Sequence, residues 1–249
     1  MTAIVFGAAK PGYAEAITKQ LIENGYSVIG TYDAEYQENA ELLLEEFHDN
    51  LKLHKVDLSS KSALKNFTNS IKDKIDAIVF AQFYFEMENP ENYDYTIWDK
   101  SIAINLSAPN MVVHELQSKM NNNSSIVIIT STEGFRGSYG APAYAATKAG
   151  IHNLVKTLAN ILGKYQIRIN ALPAGWIGGE MDTDDIFNKS RELTPLGRLG
   201  KDSEIADITM FLLSEKSSFI NGTTIVADGG YLCSDPLSKY EFEDFISER

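Results

Sequence analysis

The chain has one cysteine, Cys233, among its 249 residues. That excludes an internal disulfide and any metal site built from several thiolates. Its four histidines, His48, His54, His114 and His152, are scattered without metal-ligand spacing, so no metal is expected. Basic charge is scarce: 22 Lys and Arg stand against 34 Asp and Glu, a formal net charge of -12. Such a chain repels phosphate backbones and anionic lipid, which disfavours nucleic-acid and membrane partners. No apolar run approaches the roughly 20 residues that span a bilayer, and no basic leader precedes the first strand-like stretch. The sequence shows no repeat, linker or low-complexity segment. These absences lead us to expect a cytoplasmic chain folded as a single domain over 1–249. Its composition, 44% hydrophobic and 22% charged, is that of an ordinary globular protein.

Strand-like apolar runs alternate with amphipathic stretches of helix length. "TAIVFG", "YSVIGTYD", "LKLHKVDL", "IDAIVFAQF", "SSIVIITST", "IRINALPAG" and "GTTIVADGG" read as seven strands, with helical patterns between them. One long helix is expected through "IWDKSIAINLSAPNMVVHELQSKM". The alternation implies right-handed βαβ crossovers. The expected fold class is therefore α/β, a doubly wound seven-stranded parallel sheet with helices on both faces. Two stretches fall outside the pattern. Residues 178–201 stand where a substrate lid lies in such folds. The acidic tail 234–249 carries Tyr240, Phe242 and Phe245, and reads either as a solvated end or as a segment packing on a neighbouring subunit.

"VFGAAKPGYAEAI" places Gly7 and Gly12 between the first strand and the first helix, where a dinucleotide pyrophosphate is held. A merely structural turn would read the same. Asp33, ending the second strand, is placed to accept bonds from adenosine ribose hydroxyls and favours NAD, whereas Lys10 could reach a phosphate and favours NADP. Either is also readable as a surface charge. Asp57, ending the third strand, is placed for the adenine edge or as an N-cap.

Tyr144 and Lys148 are four apart and share one helical face. An ammonium beside a phenol lowers its pKa, which suits proton exchange with a substrate oxygen. Ser131 precedes Tyr144 by thirteen residues, and Asn105 lies mid-helix in "IAINLSAP". Together with "AYAATKAGIHNLVKTLA", "TPLGRLGKDSEIADITMFLLSE" and "INGTTIVADGG", these stretches make the chain resemble the short-chain dehydrogenase/reductase family over essentially its whole length.

The resemblance implies an NAD(P)-dependent oxidoreductase on a Rossmann fold, interconverting a carbonyl and a secondary alcohol. Tyr144 is then the general acid/base, and Lys148 lowers its pKa and binds the nicotinamide ribose. Ser131 polarises the substrate carbonyl, and Asn105 kinks its helix and holds a water of the proton relay. The backbone of Ile177 meets the nicotinamide carboxamide, while Gly7, Gly12, Asp33 and Asp57 line the adenosine and pyrophosphate. The family commonly forms homotetramers, so a tetramer or dimer is expected. The substrate pocket is expected at Thr132, Glu133, Phe135, Tyr139 and the stretch after Ile177, with Glu133 and Glu180 facing a polar or cationic substrate or water. Phe83, Tyr84 and Phe85 add apolar walls or belong to the core.

The chain departs from the family in three places. An ungapped match puts Gly7 on the threonine of the glycine loop and Ala8 on its first glycine; placing Gly7 on that glycine takes one extra residue. The customary Asn-Asn-Ala-Gly is Phe80, Ala81, Gln82 and Phe83, which puts two phenylalanines beside the cofactor. The usual Pro-Gly is Pro173-Ala174-Gly175. Two alternatives remain: a non-redox lyase like the halohydrin dehalogenases, and a non-catalytic dinucleotide sensor.

Overall fold

The computed structural model describes residues 1–179 and 183–247, so Glu180 and a small part of the expected lid and tail lie outside the described residues. Six strands, β1 (Thr2–Phe6), β2 (Ser27–Tyr32), β3 (Leu51–Lys55), β4 (Ile75–Phe80), β5 (Met120–Ser131) and β6 (Arg168–Ala174), form one parallel sheet in the order β3-β2-β1-β4-β5-β6. Helices α1 (Tyr13–Glu23), α2 (Gln37–Glu46), α3 (Lys61–Ser70), α4 (Tyr95–Ser101), α5 (Ala108–Leu116), α6 (Pro142–Leu162), α7 (Asp184–Leu193), α8 (Asp202–Leu213) and α9 (Pro236–Ser247) follow in chain order.

The period of two along each strand builds two cores. Ile4, Phe6, Ile78 and Phe80 point to one face, with Val112 and Leu116 of α5 and Ile151 and Val155 of α6. Ala3, Val5 and Val79 point to the other, with Ile17 and Leu21 of α1 and Ile205 and Leu212 of α8. Phe6 and Phe80 are register partners, and their rings stack at 4.9 Å. Phe80 is therefore core and does not reach the groove above the sheet; of the two phenylalanines expected beside a cofactor, only Phe83 stands there.

The sheet has six strands rather than the expected seven. Residues 222–230 do run beside β6, with bridges at Ala171–Thr224 and Ala174–Ala227. Between them stands Pro173, which accepts from the Ala227 N–H but has no N–H of its own to donate. The ladder is interrupted at that residue, and a continuous seventh strand does not form.

The expected long helix is also divided. A π-helical turn, Ile102–Ser107, joins α4 to α5. Pro109 lacks the N–H that would bond the Asn105 carbonyl, and its ring would collide with that carbonyl in a regular helix. The wider turn accommodates it. Among the described residues no helix is long and apolar enough to cross a membrane, and no three His, Cys, Asp or Glu side chains gather as a metal site.

Candidate active site

Strand order reverses between β1 and β4, and a crevice opens there above the carboxyl ends of the strands. Gly7 turns the chain out of β1 with φ +82°. Ala8 is buried against β2, where a Cβ on Gly30 would stand 2.5 Å from its own. Ala8 thus faces the sheet, and Gly7 makes the turn. Gly12 is the N-cap of α1 with φ 96°, and no side chain caps that helix. The Glu15 N–H turns back to the Lys10 carbonyl at 3.1 Å, which leaves the N–H groups of Tyr13 and Ala14 at the crevice, a ready place for an anion.

Ser131 ends β5, and its hydroxyl accepts from the Glu133 N–H at 3.2 Å. Tyr144 and Lys148 rise from the first turns of α6, and the Lys148 ammonium lies 5.3 Å from the Tyr144 ring centre. Lys148 is 3% exposed and donates to the Ile129 carbonyl at 3.2 Å. Burial lowers its pKa to about 7, and the Lys10 ammonium acts in the same direction. The Tyr144 phenol is raised above its ordinary value, mainly by burial; the Ser131 hydroxyl pulls it down and the Glu133 carboxylate pushes it up. Nearby, His152 meets Thr130 Oγ1 at 2.7 Å, and burial lowers its pKa to about 4.

Asn105 sits in the π-helical turn and is buried. Its amide accepts from the Tyr84 N–H, donates to the Tyr84 carbonyl, and reaches Thr147 Oγ1 at 3.3 Å. All of its described contacts fix the loop after β4 to α6. Ile177 bridges Gly200, with Gly178 N–H donating to Gly200 and Gly200 N–H to Trp176, so the expected lid segment is clasped at its base.

A cavity of about 500 Å³ opens over Ser131 and Tyr144. The expected Thr132, Glu133 and Tyr139 line it, as do Phe83 and Phe85. Phe135 does not; its ring packs on His152 at 4.4 Å. Tyr84 is directed to Glu86 and lies under Lys100. Tyr13, Arg136, Trp176 and Tyr231 also line the cavity and were not anticipated. Tyr13 had a signal, since the first helical residue after a loop glycine faces the crevice.

At the other end of the crevice, Lys10 is half-buried. Burial lowers its pKa, and Glu35 and Asp33 oppose that shift. Its ammonium lies 3.5 Å from the Phe83 ring centre and 5.5 Å from that of Tyr36, contacts worth about 0.5–2 kcal/mol. Among the described residues neither Lys10 nor Lys148 has a carboxylate within salt-bridge distance. Asp33 accepts from the Ala34 N–H at 2.6 Å and caps a short 3-10 turn. Asp57 accepts from Ser59 N–H and Oγ, while Ser60 caps α3. The N-cap expected of Asp57 thus belongs to Ser60.

Two lysines without a carboxylate partner and a helix N-terminus with no side-chain cap, reached through two positive-φ glycines, suit a dinucleotide's phosphates and ribose hydroxyls. Asp202 acts against it, with Oδ1 3.3 Å from where a Gly12 Cβ would stand.

Residues 7–232 match a family model described as enoyl-(acyl carrier protein) reductase. An uncharacterized oxidoreductase of Bacillus subtilis is 31% identical over 240 residues, covering 93% of this chain and 99% of that one. A 3-oxoacyl-(acyl-carrier-protein) reductase of Staphylococcus epidermidis is 31% identical over 245 residues, covering 92% and 98%. A solved short-chain dehydrogenase/reductase from Serratia marcescens superposes with a TM-score of 0.84 at 26% identity, over 93% of this chain and 97% of that one. The chain belongs to the short-chain dehydrogenase/reductase family, oxidoreductases that act on CH–OH and C=O groups.

Proposed function

We propose that the protein is an NAD- or NADP-dependent oxidoreductase that interconverts a carbonyl and a secondary alcohol on a small molecule. The observation that carries this reading is that Ser131 and Tyr144 line one cavity with Tyr13 of the α1 N-terminus, while the buried Lys148 amine stands 5.3 Å from the Tyr144 ring centre. The nicotinamide, when bound, supplies or accepts the hydride. Ser131 donates a hydrogen bond to the substrate oxygen. Tyr144 delivers a proton to that oxygen in reduction and removes it in oxidation. Lys148 meets the ribose hydroxyls and lowers the phenol pKa once a polar ligand restores its charge. Asn105 positions the loop that carries Phe83 and Phe85. Gly7, Gly12 and Lys10 hold the diphosphate, Asp33 and Asp57 flank the adenosine, and Ile177 presents its backbone to the carboxamide.

The proposed unit is the whole chain, 1–249, with 178–201 as a lid over the cavity, assembled as a tetramer or dimer. The relatives named for 3-oxoacyl substrates make acetoacetyl thioesters the first probes. The non-redox lyase reading is favoured by Phe83 and opposed by Lys148, which stands where those lyases carry arginine. Titration with NADH and NADPH, followed by turnover of acetoacetyl-CoA, tests the proposal. Saturable binding of either dinucleotide with oxidation on adding substrate is expected. Failure of both dinucleotides to bind overturns it.

A further inference from the structure

Phe83 stands three residues beyond the end of β4, at the place where the sheet reverses its order. Its half-buried ring is held by groups from the glycine loop and from α1 and α6. The Lys10 ammonium lies 3.5 Å from the ring centre. The Tyr13 ring lies beside it at 6.4 Å, inclined by 26°. Tyr144 meets it edge-on at 6.2 Å, and the Lys148 ammonium is 5.8 Å away. The ring therefore occupies the interval between the α1 N-terminus and the Tyr144–Lys148 pair. A dinucleotide whose phosphates meet the first and whose ribose meets the second has to cross that interval.

We propose that the Phe83 ring is a displaceable plug in the dinucleotide groove, which cofactor has to turn aside and which sets the affinity and rate of cofactor entry. This rests on the oxidoreductase reading of the site. Two features make the plug removable. Its described contacts are ring contacts alone, with no hydrogen bond to break when the ring turns. Its strongest hold is also conditional. Among the described residues Lys10 has no carboxylate partner within salt-bridge distance, and aromatic faces are its partners. A phosphate offers that ammonium a charge-assisted hydrogen bond, a stronger partner than a ring. Arrival of the diphosphate thus draws Lys10 off the ring and weakens the hold on Phe83. The displacement still opposes binding, because turning the ring aside gives up its contacts with Tyr13 and Tyr144.

The test is fluorescence titration of wild-type protein and Phe83→Ala with NADH and NADPH, paired with stopped-flow measurement of the binding rate. The variant is expected to bind at least tenfold more tightly. Its observed rate should stay linear in cofactor concentration where the wild-type rate reaches a plateau set by ring movement. Should Phe83→Ala melt early, Phe83→Leu keeps the apolar bulk without a flat ring for Lys10, and should bind more tightly than wild type. Equal or weaker binding by the folded variants, with no plateau in wild type, overturns the plug and leaves the oxidoreductase reading intact. Absence of binding to wild type and variants alike overturns both.

Discussion

Asn105 grips the backbone of Tyr84 at two points: the Tyr84 N–H donates to Oδ1, and Nδ2 donates to the Tyr84 carbonyl, each at 2.8 Å. The π-helical turn in the helix is thereby tied to the loop that carries Phe83. Asn105→Ala leaves two backbone groups without these partners, at about 1–3 kcal/mol each. A loss of about 2–6 kcal/mol in chemical denaturation is expected. Asn105→Asp keeps the acceptor for the Tyr84 N–H but loses the donor, and should fall between the two.

Tyr144→Phe keeps the ring that meets Phe83 and Phe85 and removes only the hydroxyl. Turnover should fall by at least about 100-fold, the lower end of what a positioned acid–base group supplies. The dissociation constant for NADH or NADPH should stay within about twofold of wild type, because the groove donors are untouched. Turnover within threefold of wild type would remove Tyr144 from the chemistry.

Lys148 is a buried cation whose pKa is lowered to about 7. Below that value both folded and unfolded chains carry its proton, and the burial penalty is present in full. Between about 7 and the unfolded value of 10.5, the unfolded chain holds a proton that the folded chain has lost, so its contribution to stability rises with pH. Lys148→Met removes the penalty. The variant should melt above wild type near pH 6, and the gap should narrow steadily toward pH 10. A gap that is constant across this range would show that the amine keeps its ordinary pKa in the fold.

Gly12 holds φ 96° and ψ -145°, a region that side chains rarely enter. A Cβ there would also stand 3.3 Å from the Asp202 carboxylate. Gly12→Ala should lower stability by about 1–3 kcal/mol. It should also weaken dinucleotide binding, because the methyl group would stand at the N-terminus proposed to hold the phosphates. A lowered melting temperature with unchanged cofactor affinity would place the phosphates elsewhere.

Much of the architecture is written in local pattern. β1 and β4 are near-continuous apolar runs, and the two-residue period of a strand assigns Ile4 and Phe6 to one core and Ala3 and Val5 to the other. The four-residue spacing of Tyr144 and Lys148 places them on one face of α6 before any fold is known. Other features depend on partners distant in the chain. The seventh strand fails as a ladder because Pro173 meets a segment some fifty residues away without a donor. Phe80 and Phe83 look equivalent in sequence, but strand register sends one against Phe6 and the end of β4 leaves the other in the groove. Phe135 was expected in the pocket and is drawn instead to His152 on α6. The alternation of strands and helices and the shared face of Tyr144 and Lys148 could be read directly from the residues, since period and spacing are local quantities. That Lys10 and Lys148 flank the Phe83 ring follows from the fold alone, because the glycine loop, α6 and the loop after β4 converge there from distant parts of the chain.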